Sequence, residues 1–359
     1  MDATTVAVDL AKNVFQLAVA DADWRVIGRH RLTRGQFERW FHNRAVGVVA
    51  MEACGSAHYW ARWLQQKGIA VKLLPPRYVR PYVKRNKTDA ADAAAILEAT
   101  RCGDIVPVRV KSIEQQALQS LQRVRAGWMT TRTARINALR GACREFGIVI
   151  AEGARVGSEQ LARLIADPES AIPALLREPM RLQLEEVRLL EARIAQLERE
   201  LTRAAEQSAP CQTLLSVPGV GLLTATAIVA ATGGDVAHFK SARHFASWIG
   251  LTPKERSSGG TRRLGRISKQ GDTHLRMLLT HGARSVMRAA TVAQRASRPL
   301  DPLRQWALAL KGRTHHNKAA CALANKMARI CYAALRDQEP FEASRLQRKL
   351  VRETFPMPA

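Results

Sequence analysis

Aromatic residues are scarce in this chain, at 5% of 359 residues. That argues against base stacking on ring platforms as a main recognition mode. Acidic residues are scarce too: 31 Asp and Glu stand against 56 Lys and Arg, a formal net charge of +25. A balance of that sign points to a polyanionic partner. Hydrophobic content is an ordinary 47%, so the charge does not signal wholesale disorder. Paired cysteines are lacking: Cys54, Cys102, Cys143, Cys211, Cys321 and Cys331 are scattered, with no Cys-x-x-Cys spacing. This argues against a zinc site and for a reducing, cytoplasmic compartment. Long apolar runs are lacking as well. The most apolar stretch, Val217 to Gly234, is broken by Pro218 and by glycines and threonines, so no membrane span is expected. The N-terminus has no basic-then-apolar leader pattern. No Walker motif is present, and no Gly-rich phosphate loop lies near Asp9, which argues against an actin-like or sugar-kinase ATPase.

What is present is ordered patterning. Thr5–Ala11, Val14–Ala20 and Trp24–Leu32 are short runs of β-branched and apolar residues with turn-like breaks, which predict an antiparallel meander. A helix over Gln36–Asn43, a strand over Val46–Met51, a helix over Ser56–Lys67, a strand over Ile69–Leu74 and an alanine-rich helix over Asp89–Thr100 follow. That is the element order of the ribonuclease H-like fold. The middle of the chain reads as helical, with Gly147–Ala174 broken and loop-rich. Met180, Val187, Leu190, Ile194, Leu197 and Leu201 fall on a heptad seam between charged flanks. The seam serves either a helical hairpin or a dimerisation arm. Leu214 to Ala225 reads as a helix-hairpin-helix, its Gly219 and Gly221 turn offering backbone N–H groups to phosphate. A loop dense in small and basic residues runs from Gly250 to Asp272. Helices are expected from His274 to about Arg288 and from about Lys318 to Arg336. The expected organisation is a catalytic α/β domain over 1–108, a helical coiled-coil linker over 109–208, a helical domain over 209–340 and a basic tail over 341–359.

Four carboxylates interrupt the basic pattern. Asp9 ends an apolar strand, Glu52 closes a neighbouring one, and Asp89 and Asp92 stand three apart at a helix start. Strand ends from separate parts of a chain can converge at one sheet edge. Hard oxygen ligands of this kind suit Mg2+ or Mn2+, and a metal would invert the local repulsion of phosphate. Read alone, Asp89 has an equally good role as a helix N-cap, with Asp92 favoured by the helix dipole. Lys84, Arg85 and Lys87 precede the Asp pair. Arg256, Arg262, Arg263, Arg266 and Lys269 crowd the second basic region. Most are expected to touch phosphate backbone or solvent rather than bases.

The motifs Val-Asp-Leu-Ala-Lys, Glu-Ala-Cys-Gly-Ser and Asn-Lys-Thr-Asp-Ala-Ala-Asp resemble the Asp-Glu-Asp-Asp transposases of the insertion-sequence 110 family. So do Val-Pro-Gly-Val-Gly, Phe-Ala-Ser-Trp-Ile-Gly-Leu-Thr-Pro and Arg-Ile-Ser-Lys-Gln-Gly-Asp in the second half. The resemblance covers nearly the whole chain, in order. It implies a RuvC-like domain joined by a coiled coil to a helical transposase domain, magnesium at Asp9, Glu52, Asp89 and Asp92, and homodimers that pair, as tetramers, on DNA. It further implies a structured guide RNA that pairs with donor and target DNA. The family's serine nucleophile falls at Ser258, with Ser257 the neighbouring register. The metal site and the serine, far apart in sequence, could meet across subunits. Two other readings stand beside this one: a junction-resolving nuclease that hydrolyses with water, and a non-catalytic nucleic-acid scaffold.

Overall fold

The computed structural model describes residues 3–83 and 88–344; Lys84, Arg85 and Lys87, and the tail from residue 345, lie outside the described residues. The chain divides after Ile113 into two compact units.

The first unit follows the predicted order. Strands β1 (Ala3–Leu10), β2 (Val14–Ala20) and β3 (Val26–Thr33) form the antiparallel meander. Helix α1 (Arg34–Trp40), strand β4 (Val46–Glu52), helix α2 (Ala57–Gln66), strand β5 (Ala70–Leu74), the short α3 (Pro76–Val79) and α4 (Asp89–Arg101) come next. The sheet order is β3-β2-β1-β4-β5, with β4 parallel to both β1 and β5. Side chains alternate across the sheet. Val6, Val8, Phe15, Val49 and Met51 share one core with α1 and α2, where Phe15, Phe37 and Trp60 are packed edge to face. Ala7, Ala18 and Ala50 face the other way, onto Ala93, Ile96 and Leu97 of α4. Small side chains on both surfaces let this alanine-rich helix lie close against the sheet.

The second unit is mostly helical. It contains α5 (Ile113–Glu145), α6 (Ala154–Ala166), α7 (Ala174–Glu206), α8 (Ala209–Leu215), α9 (Leu222–Thr232) and α10 (Ala242–Trp248). A two-stranded ribbon, β6 (Pro253–Glu255) and β7 (Leu264–Ile267), precedes α11 (Thr273–Arg295), α12 (Pro302–Arg313) and α13 (His316–Asp337). The heptad seam finds its cover inside the chain, because Met180, Val187, Leu190, Ile194, Leu197 and Leu201 are all buried. Helices α5 and α7 run antiparallel. Arg125 meets Glu198 at 2.7 Å, Arg132 meets Glu191 at 3.4 Å and Arg135 meets Glu186 at 2.7 Å, so one numbering rises as the other falls. Helix α6 adds Leu161 and Ile165 to the same packing, in a segment the sequence reads as loop. Gln122, buried on α5, donates to Thr226 Oγ1 at 2.7 Å and to Leu223 O at 3.2 Å, and its carbonyl meets His274 Nε2 at 3.2 Å. This satisfied polar knot ties α5 to α9 and α11. The main core of the unit gathers α8 to α13 around Phe245, Leu279, Leu323 and Met327. No described helix is long and apolar enough to cross a membrane.

Candidate active site and nucleic-acid interface

Strand register decides where the first two carboxylates emerge. Ala7 pairs with Ala50 and Val8 with Met51 between parallel strands. Asp9 and Glu52 are the next residues on each strand, so they leave the same edge on the α4 side of the sheet. Both are half-buried. The Cys54 thiol beyond them is pushed up by burial and further by the charges of Glu52 and Asp9, so both carboxylates act on one sulfur. The capping role left open for Asp89 belongs to Thr88, whose hydroxyl accepts from Ala91 N at 3.2 Å. That frees Asp89 and Asp92 as first-turn acids, one exposed and the other half-buried. Helix α4 packs on β1 and β4. All four carboxylates therefore stand on elements of one sheet face, as two pairs. Among the described residues, no group of three or more His, Cys, Asp or Glu is close enough to hold a metal ion.

The region from Gly250 to Asp272, read as a loop, is an antiparallel hairpin. Strands β6 and β7 pair, Arg256 N donates to Arg263 O at 3.0 Å, and Thr261 N donates to Ser258 O at 3.0 Å. At the tip, Gly259 and Gly260 have φ of 54° and 76°. Two consecutive positive φ values make the primed turn that matches strand twist. The tandem serines then separate by role. Ser257 Oγ donates to Glu255 Oε1 at 2.7 Å and accepts from Arg263 N at 3.2 Å, which braces the hairpin. Ser258 begins the turn and is exposed, and its hydroxyl has no hydrogen bond among the described residues. Arg256, Arg262, Arg263, Arg266 and Lys269 are exposed along the ribbon, and Arg262 lies 3.4 Å from Glu255.

The feet of the hairpin are clasped. A Cβ on Gly250 would stand 1.9 Å from Gln270 O, and one on Gly271 would stand 1.8 Å from Trp248 O. Both glycines also hold positive φ, 82° and 84°. Arg276 of α11 donates to Ile249 O at 3.0 Å and Gln270 O at 3.3 Å, so one guanidinium grips both feet. Asn325 of α13 donates to Leu251 O at 3.2 Å. Sequence reading did not single out Arg276 or Asn325; nothing in the pattern separates Arg276 from its many neighbours.

Helices α8 and α9 and the turn between them occupy the segment expected as a helix-hairpin-helix. Its two glycines differ. A Cβ on Gly219 would collide with Val286 Cγ2 at 2.7 Å and Gly282 O at 2.8 Å, so its absence lets the turn press against α11. Gly221 is the exposed N-cap of α9, with open space where a Cβ would go.

A DEDD-type transposase family model of the IS110 kind matches residues 6–147, and one described as the transposase IS116/IS110/IS902 family matches residues 211–298. A probable family 20 transposase of Pseudomonas aeruginosa is 44% identical over 336 residues, covering 93% of this chain and 97% of the relative. The transposase for insertion sequence element IS1111A of Coxiella burnetii is 37% identical over 95% of this chain and 92% of its own length. The transposase for IS1328 of Yersinia enterocolitica is 37% identical over 92% of this chain and 96% of its own. A two-part chain with a carboxylate-bearing α/β unit and a basic helical unit is thus a transposase by class. It belongs to the IS110 family of insertion-sequence transposases.

Proposed function

We propose that this transposase cuts and rejoins DNA through a covalent link between Ser258 and a DNA phosphate, with Asp9, Glu52, Asp89 and Asp92 as its metal-binding carboxylates. The observation that carries the reading is the division of labour at the hairpin: Ser257 is bonded in place, whereas Ser258 stands exposed at the tip of a clasped ribbon. A serine held this way meets the positional demand on a nucleophile, and the exposed Arg256, Arg262 and Arg263 can hold phosphate beside it. A phosphoserine ester retains the energy of the cut bond, so rejoining needs no nucleotide.

The donor chemistry of the carboxylates fits a hard divalent ion: Asp9 and Glu52 leave the sheet on the side that α4 covers, and Asp89 and Asp92 lie in the first turn of that helix. When bound, Mg2+ or Mn2+ supplies charge neutralisation and polarisation at the phosphate. Asp9 and Glu52 would hold it from the strand edge, Asp89 and Asp92 from the start of α4. The sheet order, with three antiparallel strands followed by two parallel ones, supports the ribonuclease H-like (RuvC-like) reading. Guidance by a structured RNA, and homodimers or tetramers on DNA, are proposed from family resemblance.

The test is capture of a denaturation-resistant protein–DNA adduct. Ser258→Ala should abolish it while leaving DNA affinity unchanged, and Ser257→Ala should only reduce it. Loss in Ser257→Ala alone would move the nucleophile by one residue. Cleavage that survives both changes would favour hydrolysis by water.

A further inference from the structure

A third basic feature lies apart from both the serine hairpin and the carboxylates. Between Thr273 and Lys318 the chain carries nine Lys and Arg but a single acid, Asp301. Part of this charge surrounds a concavity. A cleft of about 470 Å3 opens where α11 turns into α12, and three arginines line it: Arg288 from the exposed face of α11, Arg298 from the connecting loop and Arg304 from the first turn of α12. Ser285 adds an exposed hydroxyl and Val292 an apolar wall. Asp301 caps α12 by accepting from Arg304 N at 2.9 Å, and its carboxylate also meets the Arg304 guanidinium at 2.9 Å. The lining therefore holds three cations with one carboxylate beside them. The end of α11 and the start of α12 bring helix-end charges of opposite sign and about half a unit each, which roughly cancel. The guanidiniums set the field.

We propose that this cleft is a docking site for the phosphate backbone of duplex DNA, separate from the cutting site. Its chemistry selects that ligand. No aromatic side chain lines the cleft, so it has no platform for unstacked bases, which single strands require. Guanidiniums bind phosphate oxygens without reading sequence. The lining from Ser285 to Val292 covers eight residues of α11, about 10 Å at 1.5 Å of rise per residue. Duplex DNA presents a charge about every 1.7 Å of axis, so this length faces several phosphates. The site would fix the duplex in register while the hairpin does chemistry. This inference rests on DNA being the polymer acted on and not on the identity of the nucleophile.

The experiment measures binding of the full chain to a fluorescent DNA duplex across a salt series. Replacing Arg288, Arg298 and Arg304 by Gln should lower the log–log salt slope by about 2 to 3, at about 0.9 per phosphate lost. Affinity at moderate salt should fall at least tenfold, and adduct yield at saturating DNA should be unchanged. A control variant removes equal charge from the exposed face of α7 (Arg188, Arg193 and Arg199 to Gln) and should keep the slope. An equal loss in both variants would reduce the effect to bulk charge and overturn the site. Loss of binding to structured RNA with duplex affinity intact would overturn the DNA assignment. Should the triple variant fold poorly, Arg298→Gln in the connecting loop should still lower the slope by about 0.9; an unchanged slope there refutes the proposal. Loss of the adduct in Ser258→Ala with the cleft slope intact would leave both readings standing, so the two fail separately.

Discussion

At the scale of single residues, His58 and the two glycines of the α8–α9 turn hold positions whose chemistry predicts behaviour. His58 on α2 accepts from Lys111 N at 3.2 Å, and Arg62 donates to Lys111 O at 2.6 Å, which pins the end of the first unit. Burial, then the charges of Lys111 and Arg62, lowers the His58 pKa to about 4 from 6.5. The unfolded chain therefore binds the proton first. Stability from this group is complete above pH 6.5 and falls as the pH drops toward 4. Denaturant titrations should show wild type losing more stability across that window than His58→Gln; parallel pH profiles would deny the linkage. The two glycines of the α8–α9 turn should also part company. Gly219→Ala meets both a positive φ and a blocked Cβ position, so about 2–5 kcal/mol of destabilisation is expected from strain plus overpacking. Gly221→Ala meets open space and should cost only a few tenths to about 1 kcal/mol as a changed N-cap. Thermal melts of the two variants would decide.

Among the elements, the long hairpin of α5 and α7 separates two functions that the heptad pattern left mixed. Leu190 and Leu197 are buried in the chain's own seam, each worth roughly 1.5–3 kcal/mol of apolar burial. Charges there should lower the melting temperature of the isolated chain. On the opposite face, Leu175, Leu182 and Leu189 recur every seven residues and are 86%, 53% and 49% exposed. If α7 joins subunits, this outer stripe is the contact. Leu182→Glu with Leu189→Glu should shift sedimentation to the smaller species without loss of stability; an unchanged profile would place the subunit contact elsewhere. The first unit was legible because its strands are short, alternating and bounded by turns, and because α4 is almost pure helix former. Asp9 and Glu52 were legible as strand-end acids. The hairpin around Ser258 was not, because its strands are only three and four residues long and almost wholly exposed, Ile267 alone being partly buried, which leaves no hydrophobic alternation to read. Helices α6 and α12 were missed for a related reason: short apolar faces beside Gly and Pro look like breaks. The clamp by Arg276 depends on backbone carbonyls, which no side-chain pattern announces.

For the whole molecule, charge is the dominant property, and it makes binding strongly dependent on ionic strength. With a formal +25, affinity for duplex DNA should fall steeply with salt, by about 0.9 log units per log unit for each phosphate neutralised. A chain contacting six to ten phosphates would lose roughly 10³–10⁵ in affinity between 50 and 200 mM salt. A flat dependence, measured by anisotropy, would mean that the positive surface serves another partner.

The clasp of Gly250 and Gly271 predicts a pattern that a selection experiment would see directly. In a library randomising 250–271 and selected for transposition, those two columns should collapse to glycine, since any larger residue would have to displace a carbonyl oxygen. Gly259 and Gly260 have open space but positive φ, so Asn and Asp should survive there in minority. Between anchored feet and a permissive tip, Ser258 should be invariant by chemistry and Ser257 replaceable. The enriched sequences would then show a rigid stem and a variable tip built around one fixed serine.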